Sequence, residues 1–248
     1  MKLHILGSSS NGNGYVLESS QQEFLCIEAG VKFDQVKAAT DYNVHDIEGV
    51  LVSHSHGDHI KYVQEYMQYS VLAYMLEDTG KEWLAKNKLV HMQRNMRYFK
   101  PNKKYHIGSY QVLPFTVAHD VPCVGFLIHH EEMGLLCYLT DTMYSKHLFP
   151  ANVCTYLVEA NYDEEILNEN GTAGFLRNRV MTSHMEIGTT IEMLRANNLK
   201  ETKRIILCHL SDRNSNAKAF QDRVQAAFGI PTMIAEPGMV VDIKKEPF

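Results

Sequence analysis

Short apolar or alternating runs at residues 2–6, 15–18 and 23–28 open the chain, each bounded by turn-forming residues. A period of two puts alternate side chains on opposite faces of a pleated sheet, so these runs predict three strands, joined by the glycine- and asparagine-rich stretch 7–14 and by 19–22. Residues 31–39, 59–68 and 76–87 carry apolar positions at helical spacing, with strands expected at 49–53 and 71–74 between them. The second half repeats the idea. Strands are expected at 110–117, 124–130, 135–140 and 155–159, then a helix from about 186 to 196, a strand at 204–208, a helix from about 217 to 228 and two closing strands. Periodicity by itself supports a mixed α/β domain. With 248 residues, 45% of them apolar, and no repeat, low-complexity segment or long linker, residues 1–248 read as one domain with a sizeable core.

The expected strand at 49–53 runs straight into His54-Ser55-His56-Gly57-Asp58-His59. Three imidazoles and a carboxylate within six positions make a metal site. Alternation places His54 and His56 toward one ion as the chain leaves the sheet, while Asp58 and His59 fall on the following turn, facing a second. Nitrogen and oxygen ligands without a nearby thiolate suit zinc, manganese or iron in an open catalytic site better than a closed structural zinc site.

This HxHxDH string resembles the signature of the metallo-β-lactamase-fold hydrolases. The resemblance calls for a later histidine, an aspartate after a strand and a last histidine after another strand; His119, Asp141 and His209 each follow an apolar run in that order. Carried over, His54, His56 and His119 hold one divalent metal ion, Asp58, His59 and His209 hold the other, and Asp141 bridges them. The fold implied is the αββα sandwich, two facing mixed sheets with helices outside. Within that superfamily the chain is similar to the YycJ/WalJ-type enzymes, regarded as 5′-to-3′ DNA exonucleases. The matching strings are 9–15 (SSNGNGY), Ala118-His119-Asp120 with Val124-Gly125-Phe126, Thr140-Asp141, 159–163 (EANYD) and His209-Leu210-Ser211 with Asn214. The chain departs from the branch's usual pattern in four places. Glu28 stands for an aspartate, Gly14 for a small side chain or cysteine, His184-Met185-Glu186-Ile187 for His-Leu-Ser-Asn, and Ser215 for an asparagine. The chain therefore reads as a divergent member, accessory or phage-borne.

The chemistry follows from the ligand set as well. Two divalent cations about 3.5 to 4 Å apart can hold a bridging hydroxide and clamp the attacking and leaving oxygens of a phosphoryl displacement. The leaving alkoxide still needs a proton. His184, which precedes the expected helix at 186, is the best unassigned donor, and that helix's amino end can add N–H groups toward the same phosphate. Asp58 and His184 are thus the candidate catalytic residues. Ser9, Asn11 and Asn13 in the first loop, and Ser211 and Asn214 after His209, are candidate substrate contacts. Between residues 81 and 104, eight lysines and arginines face only Glu82. Arg94, Arg97, Lys100 and Lys103, beside Tyr98, Phe99 and Tyr105, are placed to track a nucleic-acid backbone. The competing function on the same metals is small-molecule hydrolysis, of a cyclic nucleotide, lactone or thioester.

Composition adds context. The net charge of −5 announces no polyanionic partner, yet a two-metal site attracts one locally. Five cysteines, an odd number without CxxC spacing and all in apolar runs, read as buried reduced thiols. No apolar run approaches the roughly 18 residues that cross a bilayer, nor the apolar core of a secretion signal, so the expectation is a cytoplasmic enzyme without membrane partners.

Overall fold

A computed structural model describes residues 1–171 and 174–245; Thr172, Ala173 and residues 246–248, inside the expected 1–248 domain, lie outside the description. The first half contains β1 (Lys2–Ser9), β2 (Gly12–Glu18), β3 (Phe24–Ile27), α1 (Phe33–Ala39), β4 (Ile47–Leu51), α2 (Gly57–Ile60), α3 (Val63–Gln68), β5 (Ala73–Leu76), α4 (Glu77–Asn87) and β6 (Met96–Phe99). The second contains β7 (Tyr105–Ile107), β8 (Tyr110–Val117), β9 (Cys123–His130), β10 (Gly134–Leu139), β11 (Val153–Glu159), α5 (Glu164–Glu169), α6 (Gly174–Ser183), α7 (Ile187–Ala196), β12 (Arg204–Cys208), α8 (Ala217–Phe228), β13 (Thr232–Ile234) and β14 (Val240–Asp242). Two seven-stranded sheets result, ordered β14-β1-β2-β3-β4-β5-β6 and β13-β12-β11-β10-β9-β8-β7.

Alternation within the strands builds three apolar layers. Leu3, Ile5, Leu17, Leu25 and Leu51 of the first sheet meet Val112, Phe126, Tyr138, Leu157 and Ile206 of the second in the central layer. The opposite face of the first sheet, through Val16, Cys26 and Val50, packs on Phe33, Tyr66 and Trp83 of its helices. Tyr156, Ile205 and Leu207 of the second sheet pack on Leu194, Phe220 and Val224. This is the αββα sandwich, with both faces of most strands buried.

Direction positions the site. Strands β3, β4, β5 and β6 are parallel, as are β10, β11 and β12, and β8 runs with β10 because each is antiparallel to β9. Glu28, His54, His119, Asp141, Glu159 and His209 therefore leave their strands at carboxyl ends, on one rim of the sandwich. The expected helix at 59–68 is broken in two, because the Tyr62 N–H donates to the Ala29 carbonyl (2.9 Å) instead of continuing the helical ladder. The strands β6 and β7 and the helices α5 and α6 were not signalled by periodicity. β6 buries Met96 and Phe99 but exposes Arg97 within only four residues, too short an alternation to stand out from a charged stretch. All five cysteines are free and buried. Among the described residues, no helix is long and apolar enough to cross a membrane.

Candidate metal centre

Past Leu51 the chain is held at the sheet end by two hydrogen bonds, Val52 N–H to the Tyr74 carbonyl (2.9 Å) and Ser53 N–H to Glu28 Oε2 (3.2 Å). His54 is thereby fully buried. Its Nδ1 faces Ser53 Oγ at 2.8 Å, and its Nε2 is buried without any hydrogen-bond partner. The ligand atoms of His54, His56 and His119 lie within 4.8 Å of one another. His119 Nδ1–H donates to the Ser183 carbonyl (3.1 Å), which turns the Nε2 lone pair toward His56 Nδ1 at 3.2 Å. Burial pushes the His54 imidazole well below its ordinary value, and neighbouring His59 adds to the effect; burial likewise lowers His119. Neutral imidazoles converging around an orphaned, buried nitrogen are what a cation requires of its ligands.

The second group is acidic. Asp58, in the first turn of α2, places Oδ2 at 3.2 Å from both His59 Nε2 and His209 Nε2. Asp141 Oδ2 lies 2.7 Å from His59 Nε2, and Oδ1 lies 3.1 Å from His184 Nδ1. Asp141 belongs both to a cluster with His54 and His59 and to a cluster with Glu159, His184 and His209. It thus stands between the two ligand sets. Burial works against charge here, but it is outweighed: hydrogen bonds from His209 and His59 hold Asp58 well below the carboxylate range, while Asp141 draws the His209 imidazole up to about 9. Positive charge on these imidazoles offsets the carboxylates, and a divalent ion would supply the same compensation.

Two carboxylates support the site from behind: Glu28, at the position the resemblance ties to support of the metal loop, and Glu159, to which sequence reasoning gave no role. Glu159 is fully buried and puts Oε1 3.0 Å from His209 Nδ1 and 2.7 Å from His184 Nδ1; Glu28 Oε1 lies 3.3 Å from His59 Nδ1 and accepts from Tyr138 Oη (3.1 Å). Glu159 ends β11, a strand whose seven residues are all buried in the structure. At 3.3 Å from Glu28 Oε1, His59 Nδ1 has no hydrogen-bond partner among the described residues. Partners of this kind fix ligand tautomer and orientation. Glu159→Gln is expected to lower metal affinity about 10- to 100-fold with the fold retained, read by chelator competition and melting temperature.

Backbone conformation is exceptional at the same places. Glu28 (φ 65°), Asp141 (φ 47°) and His209 (φ 54°) are left-handed although none is glycine. Such residues persist where surroundings over-determine them, and His209 is pinned by its N–H to Ser8 Oγ (3.0 Å) and by Asn161 Nδ2 to its carbonyl (2.7 Å). Gly30 is required for another reason: a Cβ there collides with the Asp58 carbonyl oxygen.

The remaining expected site residues divide. Ser9 and Asn11 line a groove beside the centre. Asn13, by contrast, is fully buried and donates through Nδ2 to the Ser9 carbonyl (3.2 Å) and Asp58 Oδ2 (3.4 Å); it braces a ligand instead of meeting solvent. Ser211 accepts from the Asn214 N–H (3.2 Å), and the Asn214 carbonyl accepts from the Asp163 N–H (2.9 Å), so both hold the loop after His209. The cap of α8 is Asn216. The helix end near His184 is not open to a phosphate, because Glu186 caps α7 with its own carboxylate. Arg94, Arg97, Lys100 and Lys103 are exposed but not brought to the cluster. They lie before, on and after edge strand β6, separated from β4 by β5, and Arg97 Nη1 is bonded back to the Arg94 and Met96 carbonyls.

Residues 26–210 match the family described as the beta-lactamase superfamily domain. The chain belongs to that superfamily. Like other superfamily members of this kind it is a metal-dependent hydrolase, and its histidine and aspartate cluster binds divalent metal. It is 29% identical over 224 residues to a protein named exodeoxyribonuclease WalJ from Streptococcus pneumoniae, covering 86% of this chain and 83% of that one. It is 26% identical over 228 residues to a protein named exodeoxyribonuclease YycJ from Bacillus anthracis, covering 87% and 85%. The superfamily fold is shared with the metallo-β-lactamase fold protein YhfI from Bacillus subtilis, at a TM-score of 0.74 and 17% identity over 97% of this chain and 99% of that one.

Proposed function

We propose that the protein is a dinuclear metal-dependent phosphodiesterase that removes nucleotides from the 5′ end of DNA. The observation that supports this reading is Asp141, which joins the cluster with His54 and His59 to the cluster with Glu159, His184 and His209 and holds His184 Nδ1 at 3.1 Å. His54, His56 and His119 would hold one ion, Asp58, His59 and His209 the other, and Asp141 both. Zinc or manganese suits the nitrogen and oxygen donors, and iron fits the same set. Bound there, the two cations supply positive charge for an anionic diester and acidify a water.

The chain's own groups do the rest. Glu159 and Asp141 grip His184 through Nδ1, so Nε2 is the nitrogen left for the substrate. Burial opposes protonation, yet Glu159 and Asp141 raise the His184 imidazole, and with Nδ1 held by these carboxylates the ring is placed to act as an acid through Nε2. As water oxygen forms its bond to phosphorus, the ester bond breaks and Nε2 passes its proton to the leaving oxygen. Asp58, the proposed second catalytic residue, is more exposed than the sealed Asp141. The names of the two relatives, both exodeoxyribonucleases, support DNA as substrate, and a cytoplasmic location accords with it.

The test is to incubate the manganese-loaded protein with 5′-labelled and 3′-labelled DNA, with RNA and with a cyclic-nucleotide panel. Release of 5′-labelled mononucleotide first is expected. Turnover of a cyclic nucleotide with DNA untouched overturns the reading in favour of a small-molecule hydrolase.

A further inference from the structure

We propose that the groove beside the Ser9–Gly12 turn holds the DNA strand next to the scissile phosphate, with Tyr62 stacking on a base and Lys32 pairing with a phosphate. The inference rests on the nuclease reading and assigns its strand path.

The groove has a volume of about 480 Å³, in the range that holds a nucleotide-sized group, and Ser9, Asn11, Gly30, Lys32, Gln35 and Tyr62 contribute to its wall. That wall is continuous with the metal centre. Gly30 packs its backbone on Asp58, and Asn13 ties the Ser9 carbonyl to the Asp58 carboxylate. Tyr62 lies three residues past His59 and is fixed by its N–H to the Ala29 carbonyl, whose own N–H donates to the His59 carbonyl (2.7 Å). The ring is half-buried, with Lys61 Nζ 5.1 Å from its centroid. An aromatic face joined to an ammonium, with a second exposed lysine beside it, is the combination that binds single strands without reading sequence.

Charge selects this side. Across Ser8 and Ser9 lies a second groove, of about 390 Å³, but Asp212 and Glu236 line it. Among the described residues, no carboxylate lines the first. A polyanion passing the metals is therefore turned toward Lys32 and away from α8. The edge cations Arg94, Arg97, Lys100 and Lys103 border neither groove.

The test measures cleavage of a short single-stranded oligonucleotide by the manganese-loaded full chain over a range of salt, with melting temperatures as the fold control. Tyr62→Ala is expected to raise KM about tenfold with little change in kcat, and Tyr62→Phe to recover most of that loss. Lys32→Gln is expected to raise KM severalfold and to flatten the salt dependence by about 0.7 per lost phosphate contact. The joint change of Arg94, Arg97, Lys100 and Lys103 to glutamine is the comparison. Groove variants with wild-type KM and salt slope, or a larger loss from the edge variant, overturn the assignment while leaving the nuclease reading intact. Wild-type protein that neither binds nor cuts DNA overturns both.

Discussion

Asp141→Asn is expected to lower turnover on the order of 10³-fold, since losing a mere supporting partner costs about 10- to 100-fold and this carboxylate serves both ligand sets. The side chain is 2% exposed and touches His59 at 2.7 Å and His184 at 3.1 Å. Asparagine keeps its shape and one oxygen but removes the charge. Alanine is the worse choice, because it leaves a void in a buried polar network. With the charge gone, His59 loses the largest of the carboxylate influences that raise its pKa but keeps Glu28 at 3.3 Å and Asp58 at 3.2 Å. The fold should therefore survive. Steady-state kinetics and metal analysis read the effect together: bound metal falls toward one ion per chain as activity falls. Full activity in a well-folded Asp141→Asn protein would remove the shared ligand from the mechanism.

His184→Ala is expected to lower kcat by about 100-fold or more with metal content unchanged, as a positioned general acid commonly contributes about 10² to 10⁴. The geometry gives the residue one free nitrogen, because Nδ1 is committed to Glu159 at 2.7 Å. Its ring also stacks on His209, with centroids 5.2 Å apart, so bound metal must be measured alongside activity. The defect should shrink for a nitrophenyl diester, whose leaving oxygen departs without a proton. Lost metal would make His184 a ligand. An equal defect on both substrates would make it a binding group and not an acid.

The legible parts of the site were those in which neighbours in sequence remain neighbours in space. His54, His56, Asp58 and His59 sit on one strand exit, and the fold brings His119, Asp141 and His209 to them from the ends of other strands. The roles of Glu28 and Glu159 are defined by which imidazole nitrogen each meets at the end of the neighbouring strand of its own sheet, which no spacing records. Asn13 failed for the opposite reason. A Gly/Asn-rich turn looks solvent-exposed, but tertiary packing sinks this one asparagine beneath Asp58. The basic run from 81 to 104 appeared as one patch in sequence, whereas the chain distributes it over α4, a tight turn, β6 and the loop to β7. Its short edge strands were hidden by that same charge.

The most direct measurement is anomalous diffraction from crystals of the metal-loaded protein, collected at the absorption edge of the bound ion. Two peaks are predicted, one among His54 Nε2, His56 Nδ1 and His119 Nε2, the other among Asp58, His59 Nε2 and His209 Nε2, with Asp141 reaching both. No peak among these residues, or a single peak away from Asp141, would contradict a two-metal hydrolase.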